Sequence, residues 1–101
     1  MDLRKQIEEK YKEVFKLKKS IEINTLRLVR SAIKDKDIAN RSTENKELIS
    51  NNEILNLLQS LIKQRKDSIQ SFRAGGRNDL IDKEEKEIEI ITRFLPKQLS
   101  E

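Results

Sequence analysis

The chain has no cysteine, no histidine and no tryptophan. Without cysteine there is no disulfide and no thiol nucleophile. Without either cysteine or histidine, the usual nitrogen–sulfur zinc sites and histidine-based triads are excluded. Aromatics are scarce: Tyr11, Phe15, Phe72 and Phe94 are the full set. Isoleucine and leucine must therefore supply most of the buried area, at about 25 cal/mol per Å². There is one proline, Pro96, and one glycine pair, Gly75-Gly76. No apolar run reaches membrane-spanning length, so no membrane partner is expected. The N-terminal MDLRKQIEEK has no apolar h-region, which argues against secretory export and makes a cytoplasmic protein the default expectation.

What the chain has is charge. Charged residues make up 40% of the 101 and hydrophobic residues 35%. The core is thin, but the apolar positions are periodic, which favours a folded helical domain over disorder. Residues 1–77 carry 18 Lys and Arg against 11 Asp and Glu, a net of +7, whereas residues 78–101 carry 4 against 7, a net of −3. A basic body with an acidic final helix fits internal pairing, a polyanion partner, or both.

The periodicity predicts an all-α domain of four antiparallel helices. The first spans about Asp2 to Leu17, with Asp2 as N-cap and a stripe of Leu3, Ile7, Tyr11, Val14 and Phe15. The second spans Ser20 or Ile21 to about Asn40, with Ile21, Thr25, Leu28, Val29 and Ala32 on one face and Leu26 and Ile33 widening it. Arg27, Arg30, Lys34 and Arg41 are expected on the opposite face. Residues 41–49, RSTENKELI, read as a long loop. The third helix opens on Ser50 with Glu53 three residues later, a capping box. It closes on Gly75-Gly76, where a residue of positive φ can end a helix. Its stripe is Ile54, Leu58, Leu61, Ile62, Ile69 and Phe72. The fourth helix spans Leu80 to about Leu95 with Asn78 or Asp79 as cap. Its stripe is Leu80, Ile88, Ile91, Phe94 and Leu95, and Pro96 follows.

Three constellations merit weighing. Arg65 falls on the apolar stripe of the third helix, about 20° from Ile54 on the helical wheel. Glu84 and Glu87 fall on the stripe of the fourth. A tight turn sets these positions at equal heights, so a partly buried ion pair of Arg65 with Glu84 or Glu87 is expected, with a bidentate fork as one geometry. Its simplest role is to set register. The Arg27/Arg30/Lys34 stripe, together with Lys63 and Lys66, is consistent with phosphate contacts and equally with a solvated charged surface. No aromatic interleaves it, so readout of backbone shape is expected, not base stacking. Gly75-Gly76-Arg77-Asn78-Asp79 lacks the Lys-Ser/Thr of a phosphate loop and follows a helix, so it reads as a turn. Arg77 beside the next helix N-terminus still makes an anion-friendly corner. No nucleophile–base pair, cofactor loop or metal set is visible, so no catalytic residue, metal or cofactor is expected.

The segments NTLRLVRSAIK, LIKQRKDSIQSFRAGGRNDL and EEKEIEIITRFLPKQLS resemble the YqeY family. That family is similar to the helical and tail region of the B subunit of the glutamine-dependent aspartyl/glutamyl-tRNA amidotransferase (GatB). Thr25, Leu26, Arg27, Gln64, Arg65, Gly76, Arg77, Asp79, Leu80, Leu95 and Pro96 match its motif positions. The resemblance implies an all-α domain over residues 1–96, with 97–101 as a linker toward a second, smaller tail domain. It implies a non-catalytic role in binding tRNA, with an aminoacyl-tRNA synthetase or amidotransferase subunit as a further partner. It also carries the label of a carbon–nitrogen ligase with glutamine as amido donor, for which these residues supply no machinery. A protein-docking module is the alternative, with an apolar patch expected near Phe94, Leu95 and Leu99.

Overall fold

The computed structural model describes residues 2–41 and 49–96. They form four helices and, among themselves, no strand: α1 Leu3–Lys16, α2 Ser20–Arg41, α3 Asn51–Ala74 and α4 Asn78–Thr92. The chain is all-α. Most of the loop expected at 41–49, the 97–101 linker and Leu99 lie outside the described residues, as does the side chain of Arg41.

Both ends of α1 and of α3 have a local cause. The Asp2 side chain accepts the Lys5 N–H at 3.2 Å and caps α1. Ser50 and Glu53 exchange their bonds at 3.3 and 3.1 Å, completing the capping box of α3. Such caps contribute about 1 kcal/mol each. At the end of α3 the Arg77 N–H reaches the Phe72 carbonyl at 2.8 Å, and the Gly76 N–H reaches that of Arg73 at 3.2 Å. Gly76 sits at φ 73° between them. This is a Schellman ending, and it needs the left-handed residue. At the end of α1 the Lys19 N–H reaches Val14 at 3.1 Å and the Lys18 N–H reaches Phe15 at 3.2 Å, with Lys18 at φ 57°.

The α3–α4 turn corrects one boundary. Arg77 occupies the N-cap position of α4 with no side-chain cap, and Asn78 and Asp79 are already helical. The Schellman ending consumes Gly76 and Arg77, so α4 begins at once. At its other end the Phe94 and Leu95 N–H groups turn back on Ile91 and Thr92, a tightened last turn beyond the regular helix.

The four helices pair as two antiparallel hairpins whose apolar rows meet in one cluster. Leu3, Ile7 and Val14 come from α1, and Leu26, Val29 and Ile33 from α2. Ile54, Leu58 and Ile62 come from α3, and Ile90, Ile91 and Phe94 from α4. Three stripes differ from expectation. Phe15 stands exposed, because it lies about 120° from Leu3 on the wheel. On α2 the buried row is Leu26–Val29–Ile33, while Ile21 and Leu28 are exposed. These two lie about 140–160° from Leu26, so α2 carries two apolar arcs and packing chose the richer one. On α4, Ile81 and Ile90 are buried and Leu80, Ile88 and Leu95 half-buried. Helix α4 packs on both α3 and α2, which widens its covered arc.

Candidate nucleic-acid interface

The choice of arc on α2 decides where its cations point. Arg27, Arg30 and Lys34 are about 60–120° from Ile33, beside the buried row and not opposite it. They overlook an open groove of about 400 Å³ between α1 and α2, whose walls include Arg4, Glu8, Arg27, Arg30, Lys34 and Asp37. Arg27 and Lys34 are exposed and make no ion pair with another described residue.

Arg30 is engaged. Its Nε donates to Glu8 Oε2 at 2.7 Å, and its guanidinium carbon lies 4.3 Å from the Tyr11 ring centroid. The hydrogen bond to Glu8 is the main reason its pKa is raised above the usual arginine value. Neutralisation, absent at i+4 along α2, arrives from α1. The covered Tyr11 face also leaves less aromatic surface for a nucleobase to stack on.

Deeper in the same groove sits a clamp that sequence reasoning missed. Asp37 is 7% exposed. It accepts Arg4 Nη1 and Nη2 at 2.9 and 3.1 Å and the Ile49 N–H at 3.0 Å. Arg4 Nη2 also donates to the Ile49 carbonyl at 3.3 Å, and Asn51 Oδ1 accepts the Leu3 N–H at 3.2 Å. One carboxylate thus ties the start of α1 and the end of α2 to the entry of α3. The signal was present: Asp37 is eleven residues past Leu26, about 20° away, and so on the buried row.

The second hairpin holds the other inward charge. Arg65 Nε donates to Glu87 Oε1 at 2.9 Å, and Nη1 donates to the Leu61 carbonyl at 3.1 Å. Glu84 Oε2 is 4.0 Å from Nε. Only one guanidinium nitrogen bonds Glu87, so the pair is not a bidentate fork. The Glu84 carboxyl is held above the usual carboxylate range, first by burial and then by repulsion from Glu87, with Arg65 pulling the other way.

Lys63 and Lys66 are exposed on α3 and do not line the α1–α2 groove. Arg77 is tied to Asp79 at 3.4 Å, and its hydrogen bond keeps the Asp79 carboxyl low. Its charge is thus compensated at the corner where an anion was expected. Phe94 is buried and Leu95 half-buried, so neither forms an open patch. Among the described residues, the exposed large apolar side chains are Phe15, Leu17, Ile21, Leu28 and Ile38, all in the α1–α2 hairpin. No helix among the described residues is long and apolar enough to cross a membrane.

Comparison with known proteins adds the family. The model of the Yqey-like protein family matches residues 4–101. The chain belongs to that family. It is 41% identical over 71 residues to "Altered inheritance of mitochondria protein 41, mitochondrial" of Lachancea thermotolerans, covering 70% of this chain and 36% of that protein. Against the protein of the same name from Candida glabrata it is 30% identical over 84 residues, covering 83% and 44%. It is 36% identical over 77 residues to a Schizosaccharomyces pombe protein named only as uncharacterized, covering 76% and 58%. The chain therefore spans between about a third and somewhat over half of these curated relatives' lengths. Two of the three are named as mitochondrial, which overturns the cytoplasmic expectation. An apolar h-region, present or not, does not separate cytosol from organelle.

Proposed function

We propose that this domain is a non-catalytic, tRNA-binding accessory of the Yqey-like type, acting alongside glutamine-dependent aminoacyl-tRNA amidation. One observation carries the reading. Arg27, Arg30 and Lys34 share one groove with α1, and two of the three lack a carboxylate partner among the described residues. Such a row neutralises consecutive phosphates without reading bases. Lys63 and Lys66 would serve as a separate contact on α3. Because two of the relatives are named as mitochondrial, mitochondrial tRNA is the first probe.

The test is tRNA affinity across a salt series, for the native chain and for Arg27→Glu/Arg30→Glu. Native binding should weaken steeply with salt, and the double variant should lose at least roughly tenfold. Binding unchanged by the double substitution would sink the reading. A protein-docking reading keeps one specific support, the exposed Phe15, Leu17, Ile21, Leu28 and Ile38.

A further inference from the structure

The α1–α2 groove contains two carboxylates, and they differ in how firmly they are held. Asp37 is buried, receives both terminal nitrogens of Arg4 and a backbone N–H, and cannot leave without stripping Arg4 Nη1 and the Ile49 N–H of their acceptor. Glu8 is 42% exposed at its side chain and, among the described residues, holds only Arg30, itself 39% exposed. A pair this open contributes little and is readily exchanged.

Resting on the phosphate-binding reading above, we propose that Glu8 sets the affinity threshold of this groove: an internal carboxylate that an incoming phosphate must displace from Arg30. A lone phosphate or a carboxylate at Arg30 exchanges one charged hydrogen bond for another and gains little. A polymer that also reaches Arg27 and Lys34 keeps the gain from two cations that have no partner among the described residues to give up. Arg27 and Lys34 are seven residues apart, about 10 Å along the helix axis. A lone phosphate cannot span that row, whereas successive phosphates of a strand can. The ligand class is a phosphodiester backbone, and single nucleotides and inorganic phosphate, which cannot span the row, are selected against.

The experiment measures tRNA binding of Glu8→Gln by fluorescence anisotropy across a salt series, with inorganic phosphate and a nucleoside monophosphate as competitors. Glutamine keeps the size and acceptor oxygen but removes the charge. Affinity should rise about two- to fivefold, the worth of one exposed ion pair. The slope of log K against log salt should steepen by up to about one, because Arg30 no longer carries an internal counter-charge. Either small competitor should displace tRNA at lower concentration than from the native chain. Circular dichroism and the unfolding midpoint check the fold, and Glu8→Ala, expected to change binding in the same direction, stands in if Glu8→Gln is misfolded. Equal or weaker tRNA binding by the folded variant, or an unchanged slope, overturns the proposal while leaving the groove as a phosphate site. Native-like binding by Arg27→Glu/Arg30→Glu instead removes the parent reading and this one with it.

Discussion

Both helical hairpins end their first helix with the same two backbone hydrogen bonds, yet one places Gly76 in the left-handed position and the other Lys18. Both set an arginine against a carboxylate: Arg65 with Glu87 in α3–α4, Arg4 with Asp37 in α1–α2. The difference lies in what else each carboxylate holds. Glu87 serves one side chain across one turn. Asp37 serves a guanidinium and a backbone N–H from two other parts of the chain. The α3–α4 pair aligns one hairpin, whereas the α1–α2 pair joins that hairpin to the rest.

The largest effect that separates them is expected at Asp37. Asp37→Ala strips Arg4 Nη1 and the Ile49 N–H of their acceptor, leaving only Nη2 bonded to the Ile49 carbonyl, and should cost about 3 kcal/mol in urea unfolding. Glu87→Ala should cost less, about 2 kcal/mol, because Arg65 retains the Leu61 carbonyl and has Glu84 close by. Replacing both partners sharpens the contrast. Arg65→Met/Glu87→Leu should come close to native stability, since an apolar pair of similar volume can replace a buried ion pair. Arg4→Met/Asp37→Leu should stay clearly destabilised, because the Ile49 N–H still lacks its acceptor. Equal stability of the two double variants would erase the distinction.

The turns give the next effect. Gly76→Ala should lower stability by about 1 kcal/mol for conformational reasons alone, since a Cβ there meets nothing within 4 Å. Lys18→Gly should raise it by about 0.5 kcal/mol, the relief of left-handed strain less the added freedom of the unfolded chain. Thermal unfolding of both variants reads the two signs directly.

The smallest effect is a pH dependence at Glu84. Its raised pKa means that the folded state holds the proton more tightly than the unfolded chain does. Its contribution to stability is therefore best in acid and declines as pH rises from the ordinary carboxylate pKa to the raised one. Glu84→Gln should melt slightly higher than the native chain at pH 7, with the gain shrinking at pH 4. An equal gain at both values would show that charge is not the cause.

How much of this could be read in advance depended on sequence distance. The Ser50–Glu53 box and the Gly76 ending are local, and the residues involved state their roles. Arg65 and the α4 carboxylates are joined by a turn too short to leave their heights free. The α1–α2 groove was not legible in the same way. Arg4 and Asp37 are separated by 33 positions, and which face of α2 turns inward was a choice between two apolar arcs. Picking the arc with Ile21 and Leu28 placed Arg30 opposite the core, where Glu8 could not be foreseen as its partner. The stripe on α4 blurred for a related reason, since a helix covered from two sides has no single apolar face to find.

The contact between Arg30 and Tyr11 has a practical consequence. Tyr11 is the only tyrosine and the chain has no tryptophan, so every ultraviolet-excited photon the native protein emits from a phenol comes from beneath that guanidinium. The domain carries an unlabelled optical probe within 4.3 Å of the cation at the middle of its basic row. Any event that lifts Arg30 from the ring should register in its emission.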